Sequence, residues 1–140
     1  MTEGQAAPVG LLDTSVVIFL ERIDPALLPF EPVISAVTLA ELSVGPLVAR
    51  TDEERTTRQS RLQQTETDFD PVPFDAVAAR AFGAVSSSLR SSGRNVSART
   101  YDAMIAATAL AHRLPLYTCN PDDVRDINGL EVVAVPVPGP

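Results

Sequence analysis

The sequence is poor in several residue types, and each shortage excludes a class of protein. It has no lysine and no tryptophan, and only one cysteine and one histidine. The single cysteine, Cys119, forms no disulfide within the chain, so we expect a reducing, cytoplasmic setting. Without a His/Cys cluster, a zinc site is not expected. No apolar run approaches the ~18 residues of a membrane span, and residues 1–8 do not resemble a secretory signal.

Length and composition predict one folded domain. The chain has 140 residues, and its hydrophobic content of 45% is enough to form a core rather than a disordered segment. Aromatic residues make up only 5%, so the core must consist mainly of Ala, Val, Leu and Ile. We expect a single domain over residues 1–140, with a loose leader at residues 1–8 and a frayed tail at residues 136–140.

The charge balance is acidic, with a formal net charge of −7. Non-specific binding to nucleic acid is driven by basic surface, so the overall charge argues against it. Carboxylates gathered around a metal ion would account for part of the excess. All eleven basic residues are arginine, which suits bidentate contacts with phosphate but is equally explained by genomic base composition.

The order of apolar segments indicates the fold class. Apolar runs bounded by polar residues or proline predict four short strands, at Val9–Leu12, Val33–Ala36, Leu114–Thr118 and Leu130–Val135. Helical spacing and capping residues predict five helices, at Ser15–Arg22, Val37–Leu47, Thr51–Thr67, Ala76–Leu89 and Thr100–His112. Strands separated by helices favour a parallel sheet with both faces covered. We therefore predict an α/β fold, a three-layer α/β/α sandwich around a central parallel sheet.

Acidic residues stand where these elements join. Asp13 ends the first strand, Glu41 lies in the first turns of the second helix, and Asp102 lies in the first turn of the last helix. The third strand is followed by an acidic turn, Asn120–Asp123. If the strands are parallel, all four junctions share one edge of the sheet, where open α/β folds bind ligands. Because clustered carboxylates repel one another and no lysine is present, we expect a hard divalent cation such as Mg²⁺ at this edge.

Each acid also has a simpler interpretation. Asp13 is a good helix cap, Asp102 is a favourable partner for a helix dipole, and Glu41 is an ordinary helix-surface charge in spite of its apolar neighbours. The acidic turn is typical of a solvated loop. The joint placement of these residues after successive strands, rather than any one of them, favours a site.

Three stretches of the sequence resemble PIN-domain proteins, specifically the VapC type of toxin ribonuclease. They are LLDTSVVIFL, VISAVTLAELSVG and YDAMIAATALAHRLPLYTCNPDDV, and the resemblance runs from about Gly10 to Val135. The second and third stretches are the more specific. The family's fold is a parallel α/β/α sandwich, which agrees with the order of elements predicted above.

The resemblance implies roles for individual residues. The family's first three acids match Asp13, Glu41 and Asp102, which would hold the metal directly or through water. Thr14 and Thr118 match hydroxyl positions that help to orient these acids.

The fourth acidic position departs from the family pattern. Many relatives have Asp where this chain has Asn120, and in others an Asp follows that Asn three residues later, as Asp123 does. We expect Asp123, with Asn120, to complete the site, and Asp122 remains an alternative.

The resemblance further implies hydrolysis of RNA with Mg²⁺ or Mn²⁺, a cognate antitoxin that blocks the site, and a homodimer. Arg94 and Arg99, in the loop before Asp102, are our candidates for contacts with the RNA backbone, although they also fit solvated loop charges. The polar helix at residues 51–67 is a candidate surface for the antitoxin or the dimer.

Two other functions compete with this prediction. A PIN-like module that binds RNA or a protein partner without cutting would fit an incomplete fourth acidic position. A phospho-aspartate protein would also place an acid at the end of a parallel strand, but the families that do so use a lysine, which this chain lacks.

Overall fold

Four short parallel strands form the centre of the fold. The computed structural model describes residues 8–95 and 99–139, so most of the predicted leader and part of the loop before residue 99 lie outside the described residues. The strands are β1 (Val9–Leu12), β2 (Glu31–Ile34), β3 (Leu116–Thr118) and β4 (Val132–Ala134). Their order in the sheet is β2-β1-β3-β4, and every neighbouring pair is parallel.

Helices cover both faces of this sheet. They are α1 (Thr14–Ile18), α2 (Ala36–Val44), α3 (Asp52–Asp68), α4 (Ala76–Ser91) and α5 (Thr100–Ala111). Short 3₁₀ turns follow α1 at Leu20–Arg22, precede β2 at Pro25–Leu27, follow α2 at Gly45–Val48, and follow β3 at Pro121–Asp123. The predicted α/β fold with a central parallel sheet is confirmed.

Successive side chains along each strand point to opposite faces of the sheet, and this divides the core into two layers. Leu11 and Leu116 face a cluster that includes Val85, Leu89 and most of α5. Their neighbours Leu12 and Tyr117 face a second cluster with α1 and α2 side chains. Because successive strand residues point to opposite faces, two adjacent leucines in β1 are enough to hold a helical layer on each side.

The Ala-rich helix α5 is buried around most of its circumference. Ala103, Ala106, Ala107 and Ala109 are fully buried, and so is Ile105. Small side chains let the helix backbone approach both the sheet and α4, so the low aromatic content does not leave the core empty. This close packing fixes the start of α5 at the carboxyl edge of the sheet.

The predicted bounds of three strands, β2, β3 and β4, were wrong. The second strand was expected at residues 33–36 but runs from Glu31 to Ile34 and includes Pro32. Proline is acceptable there because β2 is an edge strand, where a missing N–H breaks no ladder. Strands β3 and β4 are shorter than predicted by one or two residues at their ends.

Two predicted helices are shorter than expected and continue as 3₁₀ turns. The helix α1 ends at Ile18 rather than Arg22, because Phe19 N–H bonds to Val16 and Arg22 N–H bonds to Phe19, which are i to i+3 spacings. The helix α2 ends at Val44 because Gly45-Pro46 follows, and proline offers no N–H to extend the helix. No helix in residues 8–95 and 99–139 is long and apolar enough to cross a membrane.

We predict that Gly10→Ala destabilises the fold by about 1–3 kcal/mol, because overfilling a packed core strains it. A Cβ at Gly10 would lie 2.6 Å from Cε1 of Tyr117 and 2.9 Å from Cγ of Pro29. The measurement is the free energy of unfolding in urea. The matched control is Gly83→Ala on an exposed part of α4, where a Cβ meets no described atom within 4 Å. This control should be neutral or gain up to about 1 kcal/mol from helix propensity, and equal effects of the two changes would contradict the argument.

Candidate active site

Asp13 lies one residue beyond β1, at the carboxyl edge of the sheet. Its backbone N–H continues the sheet by donating to the carbonyl of Tyr117 at 2.8 Å. The side chain is buried, and its Oδ2 accepts hydrogen bonds of 2.8 Å from the hydroxyls of both Ser15 and Thr118. Although Asp13 occupies the N-cap position of α1, its side chain caps no backbone N–H in the described chain. Asp13 is therefore the N-cap residue by position, while its side chain is used for contacts within the site.

Glu41 is directed to the same edge from the second turn of α2. Its Oε1 accepts a hydrogen bond of 2.9 Å from the hydroxyl of Thr14, which is also 3.0 Å from the hydroxyl of Thr38. Burial raises the pKa of the Glu41 carboxyl most, the Thr14 hydrogen bond lowers it, and repulsion from Asp13 raises it again. Glu41 is thus tied into the site and is not an ordinary surface charge.

Asp102 lies in the first turn of α5, where the chain starts back from the sheet edge. Its pKa is raised to about 6, first by burial and then by repulsion from Asp13, Glu41 and Asp123, while Arg99 opposes the shift. Asp102 therefore lies within electrostatic reach of the other three acids. The four junctions that the strand order predicted to converge do converge.

The turn after β3 separates the three candidates for the fourth acidic position. Asn120 is exposed, and its backbone N–H donates to Thr118 Oγ1 at 2.9 Å. Asp122 is exposed and pairs with Arg125. Asp123 is half-buried and is the only one of the three whose charge reaches Asp102 in the described chain. The geometry therefore favours Asp123 over Asp122.

The two loop arginines are engaged with this turn. Arg99 Nη1 lies 2.6 Å from Oδ1 of Asp123, and Arg94 Nη1 lies 3.9 Å from the same oxygen. Arg94 also donates to the carbonyl of Asp122 at 2.5 Å and to Oδ2 of Asp126 at 3.3 Å. Both arginines are partly exposed and ion-paired, and contact with RNA phosphate stays a prediction that would require these ion pairs to open.

Ser15 and Thr38 are parts of the site that the sequence did not single out. Both carry a hydroxyl close to a residue that the sequence did single out. Ser15 directly follows Thr14, and Thr38 lies three residues before Glu41 on the same helix face. Ser15 also accepts the backbone N–H of Cys119 at 3.0 Å. Burial raises the pKa of the Cys119 thiol, so it stays protonated and is a poor metal ligand.

The donor set suits a hard divalent cation. Its atoms are carboxylate and hydroxyl oxygens, with no histidine and no thiolate among them. In the part of the chain that the structure describes, no group of three or more His, Cys, Asp or Glu side chains forms a cage that could hold a metal ion. Mg²⁺ does not need such a cage, because it usually takes one or two carboxylates and keeps several waters. The residues present therefore fit Mg²⁺ or Mn²⁺ and do not fit structural zinc.

The chain is similar to known proteins over nearly its whole length. It matches the PIN domain family at residues 10–130. It is 39% identical over 129 residues to ribonuclease VapC5 of Mycobacterium tuberculosis, and this match covers 90% of this chain and 93% of that protein. It is 34% identical over 129 residues to ribonuclease VapC4 of the same organism, covering 90% of this chain and 96% of that protein.

Solved structures agree with the sequence matches. The crystal structure of VapBC-5 from Mycobacterium tuberculosis, a member of the VapBC family of toxin–antitoxin systems, contains a chain that is 37% identical to this one with a TM-score of 0.78. The match covers 93% of this chain and 99% of that one. FitAcB from Neisseria gonorrhoeae is 26% identical with a TM-score of 0.64, covering 89% and 95%. Because the family model matches residues 10–130 and relatives that are 34–39% identical cover 90% of the chain, the chain belongs to the PIN-domain family and, within it, to the VapC type.

Proposed function

We propose that this protein is a metal-dependent endoribonuclease, the toxin of a VapBC-type toxin–antitoxin pair. One observation carries the proposal: four acids from distant parts of the chain lie at one edge of the sheet, Asp13, Glu41, Asp102 and Asp123. Hydroxyls hold the first two, and repulsion from the other three acids adds to burial in raising the pKa of Asp102. The names of the relatives, ribonucleases VapC5 and VapC4, support RNA as the substrate. The acids are catalytic candidates, and Asp13 and Asp102 are the proposed metal ligands.

The chain's own residues prepare this edge for a cation. Two hydroxyls hold Oδ2 of Asp13, which leaves its other oxygen available, and Thr14 holds Glu41 in a fixed orientation. Burial and the neighbouring acids raise the pKa of Asp102 to about 6, so its carboxylate is mostly available to a cation at neutral pH and becomes protonated as the pH falls below about 6. Mg²⁺, or Mn²⁺ in its place, would supply Lewis-acid stabilisation of the phosphate and activation of water.

We predict that purified, antitoxin-free protein cuts total RNA into discrete fragments with Mg²⁺ and not with EDTA. Asp102→Asn should reduce the rate by roughly 100-fold or more, because it removes a proposed ligand. The measurement is the rate of fragment formation on a gel, followed by sequencing of the new ends. The matched control is Asp70→Asn, an exposed aspartate, which should cut at the parent rate.

The same experiment separates the nuclease from a binding module. If the parent protein retains RNA but produces no metal-dependent fragments, the non-catalytic alternative is correct. If Asp102→Asn cuts as fast as the parent, the assignment of the acidic centre is wrong even where cleavage itself is real.

We predict that Asp102→Asn stabilises the metal-free protein above about pH 6 and not below about pH 4. The pKa of Asp102 is about 6 in the folded chain against 3.8 as its ordinary value, so the folded chain holds this proton more tightly. Protonated Asp102 thus stabilises the fold fully below its pKa in the unfolded chain. This contribution is lost as the pH rises through its pKa in the folded chain. The neutral amide avoids this loss and should gain roughly 1 kcal/mol at about pH 7.5, after allowance for solvent screening.

Urea unfolding in EDTA at the two pH values checks this stability difference. Mg²⁺ should stabilise the parent at about pH 7.5 more than it stabilises Asp102→Asn, because a ligand stabilises the state that binds it. A gain for Asp102→Asn that is as large at low pH as at high pH would show that carboxylate repulsion is not its cause.

A groove between α1 and α3 is the surface we propose for the antitoxin. It has a volume of about 640 Å³ and includes Val17, Phe19, Ser60 and Gln64 but none of the four site acids. The helix α3 is almost entirely exposed, with Thr65 its one buried side chain. An amphipathic segment laid in such a groove would cover apolar side chains of α1 and the polar face of α3 together. The homodimer implied by the resemblance stays a prediction.

We predict that Ser60→Arg, in the groove, weakens binding of the cognate antitoxin by about 10-fold or more and leaves RNA cleavage unchanged, because a long charged side chain fills the docking surface. The measurement is antitoxin affinity by calorimetry. Gln63→Arg is the matched control, since it adds the same charge to the same helix at an exposed position that does not line the groove. Equal weakening by both variants would mean a general effect of charge, and no weakening by either would exclude this groove.

A further inference from the structure

Arg99 occupies a position that helix physics does not favour. It is the N-cap residue of α5, and its side chain caps no backbone N–H among the described residues. Capping positions favour Ser, Thr, Asp or Asn, and a positive charge at a helix N-terminus is opposed by the helix dipole. Local structure therefore does not favour an arginine there, which directs attention to its contacts with other parts of the chain.

That contact is with Asp123. The Arg99–Asp123 pair is 2.6 Å long, with 35% and 29% of the two side chains exposed. Arg94 is 3.9 Å from the same carboxylate oxygen but has closer partners of its own in Asp126 and the carbonyl of Asp122. Arg99 is thus the main partner of Asp123 in the described chain, and it belongs to the acidic centre itself.

The position of Arg99 also affects the centre's other acids. Its charge opposes the three carboxylates that raise the pKa of Asp102, so it lies within electrostatic reach of Asp102 as well as Asp123. With no lysine in the chain, only an arginine is available to balance this cluster from a flexible side chain. The charge that a divalent cation would supply is partly supplied by the protein.

We propose that Arg99 is the resident counter-ion of the acidic centre, and that a divalent cation binds there by displacing the Arg99 guanidinium from Asp123. This inference rests on the proposed function, because it assumes that a divalent cation is held by Asp13 and Asp102 and that Asp123 is the fourth acid of the same site. Arg99 and the cation satisfy the same carboxylates, so each weakens the binding of the other. Since the ion pair is partly exposed, it opens at modest cost, and the competition reduces metal affinity without abolishing it.

Arg99 then has two alternative partners, the carboxylate of Asp123 and an RNA phosphate. Once displaced, its guanidinium is a free bidentate donor beside the metal, where an RNA phosphate would approach. A phosphate that holds Arg99 also keeps Asp123 free for the metal. Metal and RNA would then assist each other's binding, and by linkage the assistance is equal in both directions.

The test is Mn²⁺ affinity of the antitoxin-free, full-length protein, measured by the electron paramagnetic resonance of unbound Mn²⁺. Arg99→Gln should tighten Mn²⁺ binding by about 10-fold, as expected for loss of one partly exposed competing charge. The matched control is Arg125→Gln, which removes a charge from the same turn but from the pair with exposed Asp122. It should change the affinity by less than about 2-fold.

A double-mutant cycle distinguishes displacement from simple charge repulsion. In an Asp123→Asn background the guanidinium has lost its main partner, so Arg99→Gln should produce a much smaller gain in Mn²⁺ affinity. If Arg99→Gln gains as much in that background as in the parent, Arg99 acts only by repulsion and the proposal is wrong. Arg99→Lys keeps the charge but not the fork, and it should bind Mn²⁺ with an affinity between those of the parent and Arg99→Gln.

Failure of this inference is distinguishable from failure of the proposed function. If the parent binds Mn²⁺ and Arg99→Gln binds it equally, Arg99 is not a competitor, but the metal-dependent nuclease stands. If neither the parent nor any Arg99 variant binds Mn²⁺, the metal site fails and the inference fails with it. Arg99→Lys and circular dichroism keep the test decisive if Arg99→Gln does not fold.

Discussion

The structure depends on the parallel alignment of β1 with β3, which continues one residue beyond β1 through the hydrogen bond from Asp13 N–H to the Tyr117 carbonyl. That bond fixes the backbone of Asp13, and the hydroxyl of Thr118, the next residue along β3, then holds its side chain. A shift of one residue in this register would turn Leu11 and Leu12 to the wrong faces and would separate Asp13 from Thr118. The core and the acidic centre are therefore specified by the same contact.

The acidic centre is costly in the absence of a cation, and the fold shows how that cost is contained. Hydroxyl groups rather than cationic side chains hold Asp13 and Glu41 in the described chain. The held carboxylate oxygens therefore have hydrogen-bond donors, and these hydroxyls leave the site open to a metal ion. The pKa of Asp102 is raised to about 6, first by its burial and then by repulsion from the neighbouring acids. Among these four acids and within the described residues, only Asp123 forms an ion pair with arginine, and the pair is partly exposed and so easily broken. The cluster is thus rigid where it is buried and exchangeable where solvent reaches it.

The convergence of Asp13, Glu41 and Asp102 was predictable from the sequence because it follows from chain direction alone: in a parallel sheet every strand ends at the same edge. The identity of the fourth acid was not, because Asp122 and Asp123 are adjacent and only the 3₁₀ turn at Pro121–Asp123 decides which one faces inward. The pairing of Arg99 with Asp123 was missed for a related reason. Long side chains in loops take their direction from tertiary contacts that no local pattern encodes.

At position 99, arginine has a physical advantage over lysine. Lysine carries a compact, strongly hydrated charge, whereas a guanidinium is weakly hydrated and binds carboxylate and phosphate with the same planar fork. A group that must leave Asp123 and then bind an RNA phosphate needs nearly equal preference for both. Arginine meets that requirement, and its location at the N-cap of α5 is opposed by the helix dipole, which lowers the cost of release further. An unfavourable local position is thus consistent with a side chain that exchanges partners during function.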